Sequence, residues 1–166
     1  PKSLVSSVDS FKASMVAIDQ EVFAANVSSD EIQAKVNSAC TDMKDSLNKH
    51  IEQESLFDKN VGSYVFRETF PFFMSGRMND RCYTKPRGYS GDYETIELIY
   101  GNFPYGNGRI GRHIDRWTLN FPSAAAVRNR RQMIKNLICS AYNSWDANEP
   151  MPICSVASGP AREVFD

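Results

Sequence analysis

Apolar residues recur at alternating steps of four and three from Leu4 through Val8, Phe11, Met15, Ile18 and Val22 to Ala25, with Ser, Lys, Asp and Gln between them. That period lays one apolar stripe along a helix. Asn26 to Ser29 interrupt it, and Ser28 stands three residues before Glu31, the spacing at which a hydroxyl and a carboxylate cap each other's backbone N–H groups. A second series runs Ile32, Val36, Ala39 or Cys40, Met43, Leu47, Ile51 and Glu54 or Phe57. Two amphipathic helices across a short turn predict an antiparallel hairpin over residues 1–60. The stripe is narrow, so it is either core beneath other helices or the seam of a homodimer.

Beyond the hairpin the pattern becomes aromatic. Tyr64, Phe66, Phe70, Phe72 and Phe73 crowd the stretch from Gly62 to Met78, and Pro71 is expected to kink or end a helix there because it has no N–H to donate. Tyr83 to Tyr93 holds Pro86, Gly88 and Gly91, too many breakers for helix or strand, and reads as an ordered loop. Asp92 is placed to cap a following helix with Ile96, Ile99 and Tyr100 on one face. Gly106-Asn107-Gly108 reads as a turn, and a short helix from about Arg109 carries Ile110, Ile114 and Trp117. A long helix from about Ser123 to Trp145 is expected to bury Val127, Ile134, Leu137, Ile138, Ala141 and Trp145. Residues 61–148 thus form a helical middle region, and the polar connector from Asn143 to Met151 marks its end.

The last fourteen residues change period. Ile153 to Ala157 reads as a short strand running into Ser158-Gly159-Pro160, where Gly159 permits positive φ and close backbone approach, and Pro160 suits the first position of a new helix. Such a bend is where a nucleotide or cofactor docks. One strand has no ladder of its own, so 149–166 is expected to be the start of a larger domain.

Composition narrows the classes. No apolar run approaches the roughly 20 residues that span a bilayer, and no secretory leader pattern is present in residues 1–5. Cys40, Cys82, Cys139 and Cys154 lack metal or redox spacing and read as free, mostly buried thiols in a reducing cytoplasm. The net charge of −1 conceals an acidic segment over 1–60, six Lys against ten acids, and a basic one over 77–131, with ten Lys or Arg against five acids. The basic segment is nearly all Arg, whose planar fork suits carboxylates and phosphates. No basic stripe interleaved with aromatics argues for nucleic acid. His50 reads as a surface or seam residue, and His113, beside Asp115 and Arg116, as a weak general-base candidate.

Three segments together, Lys85-Pro-Arg-Gly-Tyr-Ser-Gly-Asp-Tyr93 followed by Glu97-Leu-Ile-Tyr100, Ala125-Ala-Val-Arg-Asn-Arg-Arg131, and Ser155-Val-Ala-Ser-Gly-Pro-Ala-Arg-Glu163, resemble the bacterial class I S-adenosylmethionine-dependent methyltransferases of the 3-hydroxy fatty acid methyl ester synthase type. The resemblance covers about Phe70 to Asp166. It implies a mainly α chain in which a helical hairpin and a helical cap precede a truncated Rossmann-like domain, with S-adenosylmethionine as cofactor and a small or lipid-like methyl acceptor. It also implies that Ala157, Ser158, Gly159 and Pro160 form the cofactor turn. Arg87 or Arg128 would receive the cofactor carboxylate, and Gly88 and Tyr89 belong to a loop covering it. The acidic residue for the ribose is expected beyond Asp166, so these residues alone are expected to be inactive. Two other readings stand beside it: a helical dimerisation or interaction module without activity, and a phosphate-binding enzyme using the glycine turn.

Overall fold

A computed structural model describes residues 2–54, 59–146, 148–156 and 159–165. Among these the chain is mainly helical: α1 (Lys2–Ala24), α2 (Ser29–Glu54), α3 (Lys59–Phe73), α4 (Arg77–Thr84), α5 (Tyr93–Gly101), α6 (Gly111–Leu119), α7 (Pro122–Asn143) and α8 (Arg162–Phe165). Contacts divide it into two units, Pro1–Asp80 with Pro104–Thr118, and Arg81–Phe103 with Leu119–Asp166.

In the first unit α1 and α2 form the expected hairpin. Ser28 Oγ accepts from Glu31 N at 3.2 Å while Ser28 N donates to Glu31 Oε2 at 3.0 Å, closing the capping box. Glu31's carboxyl is held below its usual pKa by the Ser28 backbone bond first and the Ser28 hydroxyl second. The stripe is core: Leu4, Val8, Phe11, Met15 and Ile18 are buried with Ile32, Val36, Cys40 and Met43, under Val65 of α3 and with Ile110 and Ile114. Each such side chain contributes about 1.5–3 kcal/mol of burial free energy. Phe11 stacks on Phe73 at 5.4 Å between ring centres and meets Phe72 edge-on at 5.6 Å, so the aromatic run packs onto the apolar stripe of the hairpin. Pro71 lies inside α3, which ends two residues later at Phe73.

The chain then returns on itself without room for side chains. A Cβ on Gly111 would lie 2.4 Å from the Ser75 carbonyl oxygen, and one on Gly106 would lie 2.0 Å from the Gly111 carbonyl carbon. Asn107 N donates to Ser75 O at 2.7 Å across the same contact. Buried Asp115 completes the joint by accepting from Met78 N at 2.9 Å and Tyr105 N at 3.0 Å.

The second unit is built on α5 and α7, which pack together, with α8 also against α7. Asp92 caps α5 by accepting from Thr95 N at 2.9 Å, and Arg81 grips both its oxygens at 2.9 and 2.8 Å. Three expectations are corrected here. Leu137, Ala141 and Trp145 are exposed, because α5 is about 14 Å long and cannot cover an α7 of about 33 Å. Cys139 and Cys154 are exposed and Cys82 is half-buried, leaving Cys40 as the buried thiol, its pKa pushed up to about 12 by burial. Ile153 to Ser155 have no regular structure, since no second strand among the described residues offers them a ladder. The bend that follows is present: Gly159 has φ +58 and Ala161 φ +50, so α8 begins at Arg162 rather than at Pro160.

Candidate functional site

The second unit contains a cavity of about 680 Å³. Its walls come from three places in the sequence: Tyr89 and Gly91 of the loop ahead of α5 with Tyr93 at the start of that helix, Arg130 and Ile134 from α7, and Ser155, Val156, Gly159, Pro160 and Glu163 from the C-terminal bend. Ile96 and Tyr100 of α5 form the floor. Arg130 and Ile134 are four residues apart and therefore share a face of α7. Gly159 opens to free space, with no atom within 4 Å of where a Cβ would stand. A ligand can reach its backbone directly, in a conformation that a β-carbon makes costly.

Of the predicted site residues, this cavity unites Tyr89, Gly159 and Pro160. Ala157 and Ser158 lie outside the described residues. Arg87 and Gly88 stand elsewhere: Arg87 donates to Glu94 Oε1 at 3.0 Å and to the Tyr93 hydroxyl at 2.9 Å, with its guanidinium 4.5 Å over the Tyr93 ring. That arrangement fixes the ring of a cavity wall, and it holds Glu94's carboxyl below its usual pKa through the Arg87 hydrogen bond. Gly88 sits at φ +89 with open space around it. Arg128 donates to Leu119 O at 3.0 Å and lines a separate basic cavity of about 470 Å³ with Tyr100, Arg131 and Lys135. The Arg131 guanidinium lies over the ring of the shared residue, Tyr100, 4.9 Å from its centre.

His113 belongs to the first unit, fully packed, with Nδ1 2.9 Å from Gln33 Oε1 and its carbonyl accepting from Gln33 Nε2 at 3.0 Å. Burial lowers its pKa, helped by Arg112 and Arg116. This is a core histidine. The sequence does not single out Tyr100 or Glu163, the latter standing four residues after Gly159, and it offers Arg130 only as one of three neighbouring arginines, Arg128, Arg130 and Arg131, of which one is expected to reach the site.

Residues 20–166 match the profile of a family described as "Putative methyltransferase". The chain belongs to this methyltransferase family. No curated protein and no solved structure gives a significant match. The family match begins inside α1 and takes in all of α2, so the helical hairpin, which the motifs alone left unplaced, falls largely within it. The cavity sets an open backbone bend beside three tyrosines. No helix among the described residues is long and apolar enough to cross a membrane.

Proposed function

We propose that the chain carries the helical region and first cofactor-contacting bend of a cytoplasmic S-adenosylmethionine-dependent methyltransferase acting on a small or lipid-like acceptor. One observation carries this reading: the three segments that suggested the family, 85–93 with 97–100, 125–131 through Arg130, and 155–163, contribute to the same cavity. The residues fit the cofactor. Tyr89, Tyr93 and Tyr100 line the cavity, and an aromatic ring is a favourable neighbour for a cation such as a sulfonium; the open backbone at Gly159 admits a ligand closer than a side chain would. The bound cofactor supplies an electrophilic methyl group; everything else is positioning.

The chain's own residues bind and orient. The Arg87–Glu94–Tyr93 contacts fix one aromatic wall, Asp92 and Arg81 fix the start of α5 beneath it, and Ile96, Ile134 and Val156 give the cavity apolar surface suited to a carbon-rich acceptor. In the same reading 149–166 opens a Rossmann-like domain and residues 1–148 cover it. Calorimetric titration of the full-length protein with S-adenosylhomocysteine tests it. Gly159→Val should weaken binding at least about tenfold, since the branched side chain both strains the bend and blocks the approach. Gly108→Val, at φ +67 in the first unit, controls for backbone strain alone. Unchanged affinity in the Gly159 variant would falsify the assigned bend.

A further inference from the structure

The bend that lines the cavity holds two residues in the left-handed region, Gly159 at φ +58 and Ala161 at φ +50. Glycine adopts this conformation freely, but the Cβ of Ala161 crowds the following carbonyl oxygen there. Such a residue persists where its surroundings over-determine it. The turn that follows is too short to do so alone: α8 has four residues, with Val164 N donating to Ala161 O at 3.0 Å. Its surroundings are α7, on which α8 packs, and α5, to which the residue after Ala161 is tied. Arg162 forks onto Glu97 of α5, Nε to Oε1 at 2.7 Å and Nη2 to Oε2 at 3.0 Å. The start of α5 is itself fixed, because Asp92 caps it and Arg81 grips Asp92. Glu97 and Arg162 do not line the cavity described above; with Tyr93, Gly159, Pro160 and Phe165 they line a neighbouring one of about 700 Å³. A ligand in the first cavity therefore meets the bend and not the ion pair.

We propose that Glu97 and Arg162 are positioning residues for the bend: their ion pair keeps Ala161 left-handed and so sets where the Gly159 backbone stands on the cavity wall. The fork fits this role, since two parallel N–H···O bonds fix direction as well as distance, which the point charge of a lysine would not. Both side chains are partly exposed, at 52% and 32%, so the pair adds little to global stability. It acts on the same small scale as the backbone preference of one alanine, and the balance between the two sets the bend without setting the fold. What the bend then binds rests on the methyl-donor reading; its positioning is a property of the unliganded chain.

Two measurements on the full-length protein keep these apart. In the unliganded protein, amide exchange at Val164 should quicken about two- to fivefold in Glu97→Gln and in Arg162→Gln, the scale of a half-exposed ion pair, and no further in the double variant, because the two side chains act as one unit. In calorimetric titration with S-adenosylhomocysteine both variants should lose affinity by a similar factor, while the melting temperature stays within about 3 °C of the parent. Adding Ala161→Gly to Glu97→Gln should recover most of the lost affinity, since glycine needs no tie to stay left-handed. Neither a direct ligand contact nor a general loss of stability would be rescued in this way. Unchanged exchange, or affinity losses that add up and resist Ala161→Gly, overturn the positioning role and leave the methyl-donor reading in place. If the parent does not bind S-adenosylhomocysteine, that reading falls and exchange at Val164 alone decides the tie.

Discussion

The two units are both helical, yet they treat polar groups differently. In the first, every buried polar side chain among the described residues is answered from within: Gln33 by His113, Thr69 by the Val65 carbonyl, Asp115 by two backbone N–H groups. In the second, Asp92 and Thr95 are answered, but the buried Oε2 of Glu163 is not. The glycines tell the same story. Those at 106 and 111 are small because backbone crosses backbone, whereas the one at 159 faces open space. A unit whose polar and steric demands are met internally is a scaffold; one that leaves them unmet has surface to offer a ligand.

The largest effect should come from forcing a side chain into the first unit. Gly111→Val should cost about 3 kcal/mol or more in urea unfolding, because the Ser75 carbonyl cannot retreat without breaking its bond from Asn107. Gly159→Val should cost far less stability while it impairs binding. Comparable losses at the two glycines would erase the distinction between the units.

Asp115→Ala should come next, at about 2–3 kcal/mol, since it strands the Met78 and Tyr105 N–H groups in the joint. Hydrogen exchange should show the loss first at those two amides. Protection that stays unchanged there would mean the carboxylate is not what holds the return of the chain.

The smallest effect is in pH dependence, and it differs in window between the units. His113 is held neutral by burial, with its pKa lowered, so its contribution is fully present above the unfolded value of about 6.5 and is lost as pH falls below that. The slope should not exceed about 1.4 kcal/mol per pH unit, and His113→Gln should abolish it. Asp92 behaves differently. Burial works to raise its pKa, but the Arg81 and Thr95 hydrogen bonds outweigh it and the net shift is downward. Its stabilisation is therefore complete above the unfolded value of about 3.9 and fails only as pH drops through the lower folded one. Amide exchange read separately in α2 and α5 between pH 7 and pH 5 should change in α2 and hold in α5.

Local rules were enough for the hairpin, the Ser28 and Asp92 caps, the breaker-rich loop and the bend at Gly159, because period, capping chemistry and backbone freedom all act over four or five residues. Three things needed tertiary structure. The stripe of α1 and α2 could have been core or dimer seam; Val65, Ile110 and Ile114 packing on it decided for core. The face of α7 carrying Leu137 has a clear apolar period, but period names a face and not what covers it. Residues 153–155 have strand composition and no strand, because a ladder needs a partner that composition cannot supply. The cavity is the same case at larger scale: Tyr89, Arg130 and Glu163 lie tens of residues apart, and only folding brings an aromatic loop, an arginine of α7 and an unsatisfied carboxylate to one wall.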